Sequence, residues 1–134
     1  PPALTRALHA EPTWGGQARD FMAIFSNEAE VRALQPDFEA LAKLDLFAVV
    51  ATAPGDESDF VSRFFAPKAG ILEDHVTGSA HCTLVPYWSE RLGKKRLHTF
   101  QRSPRGGELW CELAGDRVKI AGKCALYLRG EITV

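Results

Sequence analysis

The hydrophobic positions of this chain change period along its length. Leu4, Ala7 and Leu8 recur at helical spacing, with Pro2 suited to a first helical turn and Pro12 beyond the end. "FMAIFS", Phe21 to Ser26, reads as a strand. Asn27 then caps a helix over "NEAEVRAL", and Glu30 completes a capping box. Pro36 interrupts, after which Phe38, Leu41 and Leu44 predict a second short helix. "LFAVVATA", Leu46 to Ala53, is continuously apolar and predicts a strand covered on both faces. The turn "PGDESD" leads to a second apolar strand, "FVSRFFAP", broken by one charge, Arg63.

A glycine- and proline-containing loop follows, then "EDHVTGSAHC", Glu73 to Cys82, opening a helix that runs to Leu92 and stops at Gly93. Ala80, Leu84, Val85, Trp88 and Leu92 mark its apolar face, and Pro86 predicts a bend. His81 reads as a core histidine and Cys82 as a buried, inert helical thiol. The last third switches to period two. "RLHTFQ", "ELWCEL" and "RVKIAGKCALYLRGEITV" predict a meander, with Val118, Ile120, Gly122, Cys124, Leu126 and Leu128 on one side of a half-buried ribbon, and Gly122 a candidate bulge. The sum is a mixed α/β fold with a sheet wrapped around one apolar helix.

Length and charge narrow the class. With 134 residues the chain suits a single domain, 1–134. A net charge of −1 gives no electrostatic case for nucleic acid or an anionic membrane, and no apolar run has the length of a membrane helix. Cys82, Cys111 and Cys124 are odd in number, widely spaced and without a C-x-x-C, which argues against a disulfide framework or a zinc site. A reducing, cytoplasmic setting is expected. The opening residues lack the pattern of a signal peptide.

The chemistry concentrates at the glycine-bearing turn. With Thr77 as N-cap, its hydroxyl is expected to accept from a backbone N–H one turn in. Gly78, Ser79 and Ala80 then present backbone N–H groups without helical partners, at the positive end of the helix dipole. Small residues there allow close approach of a carboxylate or phosphate. The same pattern also serves as a plain capped helix start. Asp74 is a candidate acid or base, or a loop carboxylate. Arg63 either faces solvent or pairs with a carboxylate, from Asp74 or from a ligand.

Taken together, "DFVSRFFAPKAGILEDHVTGSAHCTLVPYWSERLGK", "RGGEL" and "AGDRVKIAGKCALYLRGEI" resemble the phenazine-biosynthesis isomerase-like (PhzF-like) family. The resemblance implies the diaminopimelate-epimerase-like fold, in which two similar α/β domains each wrap a mixed sheet around a central helix and share a cleft. It covers the second, C-terminal domain only. The first domain, with the glutamate taken as the main acid/base, has no counterpart here. By resemblance Asp74 matches the second-domain active-site aspartate, Ser79 the serine at the helix start, and Gly78 the adjacent backbone donor. His75 stands where proline is common, which would loosen the backbone aiming Asp74. Thr77 replaces the cysteine of related two-thiol racemases, so carboxylate-driven proton transfer is expected instead.

The resemblance thus implies cofactor-independent isomerisation of a small carboxylate-bearing metabolite. The catalytic residues are Asp74 and Ser79, the anion-binding residues Thr77, Gly78, Ser79, Ala80 and Arg63, and neither metal nor organic cofactor is called for. Alone the chain is expected to be inactive or nearly so. Its partner would be the missing N-terminal domain or a second copy in a homodimer. A non-catalytic, self-associating binding domain is the alternative, and the Pro-Pro start suggests a fragment of a two-domain enzyme.

Overall fold

A computed structural model describes residues 2–133. Among them eight strands make one mixed sheet: β1 (Trp14–Gln17), β2 (Phe21–Ile24), β3 (Val49–Pro54), β4 (Phe60–Ala66), β5 (Ile71–Asp74), β6 (Arg96–Gln101), β7 (Gly107–Ala114) and β8 (Arg117–Gly122). The order is β1-β2-β3-β4-β6-β7-β8, with β5 attached to β4. The β2/β3 and β4/β6 pairs are parallel and the others antiparallel. A parallel neighbour requires a crossover, and helices supply it. α2 (Glu28–Ala33) and α3 (Phe38–Ala42) lie between β2 and β3, and α4 (Gly78–Leu92) lies between β4 and β6.

Period two in the central strands divides the core. Val49, Ala51 and Ala53 of β3 and Val61 and Phe65 of β4 join Leu4, Leu8, Val31 and Leu41 on the face covered by α1 (Pro2–Leu8), α2 and α3. Val50, Phe60 and Phe64 point the other way, against Ala80, Leu84, Val85 and Trp88 of α4. Trp88 is buried flat on Phe60, 5.7 Å between centroids, and its Nε1 donates to Thr52 Oγ1 at 3.0 Å. The strands β6, β7 and β8 pack on α4 as well, so the sheet curls round this helix as expected.

The caps agree with the sequence in most places. Asn27 Oδ1 accepts from the Glu30 N–H, while Glu30 answers to Ser26 N–H and to the Asn27 amide. Gly93, at φ 67°, ends α4 in the left-handed conformation. Pro86 sits inside a continuous α4 on its exposed side.

The structure departs from the sequence reading in several places. Cys82 is exposed, because two residues on from Ala80 is about 200° around a helix, facing away from the core. Leu92 is exposed in the last turn, where the helix end stands clear of the sheet. The loop before the motif contains a strand, β5, and "WGGQ" forms the edge strand β1. The final ribbon is short: β8 stops at Gly122, and residues 123–133 are exposed without strand structure, Tyr127 fully so.

Candidate functional site

The motif sits where β5 hands over to α4. β5 pairs with β4 through Phe64 opposite Asp74, which holds Asp74 at a strand end. Three residues later the backbone turns into α4. Asp74 is half-buried, Gly78 and Ser79 are exposed, and Ala80 is buried. A Cβ built on Gly78 would meet nothing within 4 Å, so the first helical turn opens onto free space. Ala80 contributes only its backbone at this surface, since its methyl group belongs to the core under the helix.

Thr77 has the extended conformation of an N-cap, yet its hydroxyl does not cap the helix. Oγ1 donates instead to Asp74 Oδ2 at 2.6 Å, in the range of a charge-assisted O–H···O⁻ bond. An ionised carboxylate can only accept, so the single hydroxyl proton lies on this bond. The first-turn N–H groups receive no side-chain cap from Thr77.

Gln101, at the end of β6, is the residue that sequence reasoning missed. It is 1% exposed. Its Oε1 accepts from Thr77 N–H at 2.8 Å, and its Nε2 donates to Asp74 O at 2.9 Å and Thr77 Oγ1 at 3.0 Å. Ser103 Oγ donates to the His75 carbonyl at 2.8 Å, and Val76 lies over Gly107, where any Cβ would collide with it. The segment around His75 is thus tied on both sides without a proline. His81 completes the hold. Its buried Nδ1 lies 2.7 Å from Thr77 O, so Nδ1–H donates there. Burial pushes the imidazole below its ordinary value against that hydrogen bond, which keeps the ring neutral.

Arg19 was also missed. Its guanidinium is forked on Asp20, at 3.1 and 2.9 Å, lies over the Phe47 ring, and donates from Nη2 to Ser79 Oγ at 3.1 Å. The hydrogen bonds to Asp20 raise it above its ordinary value. An ion-paired guanidinium therefore stands beside the helix start. Its only sequence signal is the "ARD" turn before β2, sixty positions from Ser79.

Arg63 is placed differently from expectation. Its Nε and Nη2 fork onto Glu73 Oε1 and Oε2 at 2.8 and 2.9 Å, and Nη1 donates to the carbonyls of Val31 and Leu34 at 3.2 and 2.7 Å. With both side chains about 10% exposed, this is a buried tie between β4, β5 and the end of α2. It neither faces solvent nor meets Asp74, and its donors are engaged within the fold. Asp74, Thr77, Gly78 and Ser79 are together; Arg63 is not among them.

Among the described residues, no group of three or more His, Cys, Asp or Glu is placed to hold a metal. Two cavities of about 530 and 550 Å³, one by His98 and Trp110 and one beside α1, are lined by neither Asp74 nor Ser79. The site is an open face, with exposed Val76 in the motif turn and exposed Phe47 under the Arg19 guanidinium. No helix of the described residues is long and apolar enough to cross a membrane.

Comparison with known proteins bears on the family and the fold. Residues 6–130 match the family model described as phenazine biosynthesis-like protein. An uncharacterised isomerase of Pseudomonas aeruginosa is 53% identical over 117 residues, 87% of this chain and 45% of the relative. A second uncharacterised isomerase of that organism is 43% identical over 98% of this chain and 51% of its own length. The crystal structure of a PhzF family phenazine biosynthesis protein from Enterococcus faecalis superposes with a TM-score of 0.93 at 44% identity, covering 100% of this chain and 52% of that one. The chain spans about half the length of the relatives it matches.

Proposed function

This chain belongs to the phenazine biosynthesis-like family, and on that footing we propose that it carries one half of an isomerase active site. The reaction is cofactor-independent proton transfer on a small carboxylate-bearing metabolite. The observation that carries this reading is the join of Asp74 to an open helix start. A carboxylate, fixed through one oxygen by Thr77, stands beside the exposed Gly78–Ser79 turn.

Each part has a role in that chemistry. The N–H groups of Gly78, Ser79 and Ala80, with the helix dipole, hold the substrate carboxylate. Arg19, paired with Asp20 and already against Ser79 Oγ, adds an N–H donor at the same place. Ser79 offers a hydroxyl to the substrate, and Asp74 holds or relays the proton. Negative charge that develops as a proton leaves carbon is stabilised by the same donors. The main base is a glutamate of the first domain, by the family resemblance. Restricted to one face, this chain alone turns over little or nothing.

Incubation in D2O with a panel of small unsaturated and cyclic carboxylic acids tests this even though the substrate is unidentified. The chain joined to the half its relatives carry is expected to exchange or isomerise a member of the panel, read by NMR. Asp74→Asn and Ser79→Ala should each lower that rate. Full activity in both variants would remove the assigned roles.

A second reading rests on the exposed tail. Leu126, Tyr127, Leu128 and Ile132 are apolar and uncovered. Such a stretch favours contact with a partner, either the other half or a second copy of the chain. Sedimentation of the pure chain separates these, since a clean monomer argues against self-pairing.

A further inference from the structure

We propose that Gln101 is a positioning residue that holds the Thr77 hydroxyl with its proton on Asp74, so that one carboxylate oxygen stays engaged inside the fold and the other faces the substrate. Two backbone groups leave the Gln101 amide no choice of orientation. Thr77 N–H is a donor and Asp74 C=O is an acceptor, and both meet the Gln101 amide, at 2.8 and 2.9 Å. Only one of the two amide orientations satisfies both, with Oε1 toward Thr77 N and Nε2 toward Asp74 O. The reverse would place donor against donor and acceptor against acceptor in a buried position.

That orientation fixes the next bond. Nε2 carries a second proton, and it points at Thr77 Oγ1, 3.0 Å away. The hydroxyl must accept there. Its single proton is then free to go elsewhere, and the group within reach is Asp74 Oδ2 at 2.6 Å. The chain of direction runs Gln101 to Thr77 to Asp74. Burial at both Gln101 and Thr77 keeps water from offering an alternative. Oδ2 is therefore a permanent acceptor inside the fold, and Oδ1 is the oxygen left to the open face. The same amide bridges the Asp74 carbonyl and the Thr77 N–H, so it also sets the distance between the carboxylate and the helix start.

Its meaning for catalysis rests on the proposed role of Asp74, whereas the hydrogen-bond direction does not, and the test keeps the two apart. In the uniformly 13C,15N-labelled chain, the Thr77 hydroxyl proton is expected to show a through-hydrogen-bond correlation to Asp74 Cγ. The Thr77 amide proton should show one to Gln101 Cδ. A hydroxyl correlation to Gln101 Cδ in the unaltered chain would overturn the proposal with no variant needed. Gln101→Met, of similar length and without polar atoms, should speed exchange of the Thr77 amide about tenfold and weaken the hydroxyl correlation. Thr77→Ser should retain the correlation to Asp74, and Thr77→Val should lose it. If Gln101→Met leaves both the exchange rate and the correlation as they were, Gln101 directs nothing. None of these readouts needs turnover. Full activity in Asp74→Asn would end the catalytic role of Asp74 and leave the clasp standing, while a misdirected hydroxyl would end the clasp alone.

Discussion

Replacing Glu73 by Gln should destabilise the fold heavily, although Glu73 adjoins the candidate site and resembles a surface acid in sequence. The substitution keeps shape and removes charge. It leaves the Arg63 guanidinium about 10% exposed with its carboxylate partner gone. Two charge-assisted bonds, at 2.8 and 2.9 Å, lose their anionic acceptor. Breaking a buried pair by removing one partner costs about 3–5 kcal/mol. Here Arg63 keeps the Val31 and Leu34 carbonyls, which favours the lower end, about 3 kcal/mol. With a urea slope of about 1.5 kcal/mol/M, the midpoint should fall by about 2 M at unchanged slope. Arg63→Met combined with Glu73→Leu should recover only part of the loss, because the two carbonyls then lack their donor. A loss below about 1 kcal/mol for Glu73→Gln would refute the reasoning and return Arg63 to the ligand-binding candidates.

Other outcomes follow from the same structure. Trp88→Phe removes the Nε1 donor to Thr52 Oγ1 from a buried position and should cost about 1–2 kcal/mol by urea denaturation, with the Phe60 stack largely kept. His81 is lowered in the folded state by burial, so the unfolded chain binds the proton more readily. Stability is then full above the unfolded value of about 6.5 and falls as pH drops below it, by at most about 1.4 kcal/mol per pH unit. His81→Asn should flatten that part of the stability–pH profile, and an unchanged profile would count against a neutral buried His81. Cys82 and Cys124 are exposed, whereas Cys111 is buried and its thiol is pushed up to about 11, chiefly by burial. A thiol reagent at pH 8 should therefore add two labels by mass spectrometry, with the third appearing only after unfolding.

What the sequence made legible was what local pattern determines. The Asn27–Glu30 cap, the Gly93 stop, the Ala80–Leu84–Trp88 face and most of the Leu46–Ala53 run, whose strand begins only at Val49 with Phe47 exposed, depend on neighbours within a few positions. Strand β1 escaped notice because "WGGQ" is short and exposed at the sheet edge, with no alternation to read. The tail was over-read for the opposite reason. Its alternation continues to Leu128, but a strand needs a neighbour, and the chain leaves the sheet after Gly122. Cys82 was readable, since helical geometry alone turns it from the core.

At the site, Asp74, Gly78 and Ser79 were legible as a motif, and the family resemblance picked them out. The bonding of the Thr77 hydroxyl was not, because the Gln101 amide that meets Thr77 and the Asp74 carbonyl comes from 24 residues beyond Thr77 and reaches them only in the fold. Arg63 was misassigned because its partners, Glu73 and the carbonyls of Val31 and Leu34, meet it only in the fold. Arg19 reaches Ser79 across a separation of 60 residues, which no local pattern records.

Whether Asp74 handles the substrate's proton is decided by solvent-deuterium incorporation into a responsive carboxylic acid, with the chain joined to its complementary half. Asp74→Asn should reduce the rate at least about a hundredfold, as expected for loss of a group acting in general acid–base transfer, while the variant keeps its fold by NMR. Incorporation at the unaltered rate by a folded Asp74→Asn protein would contradict the assignment.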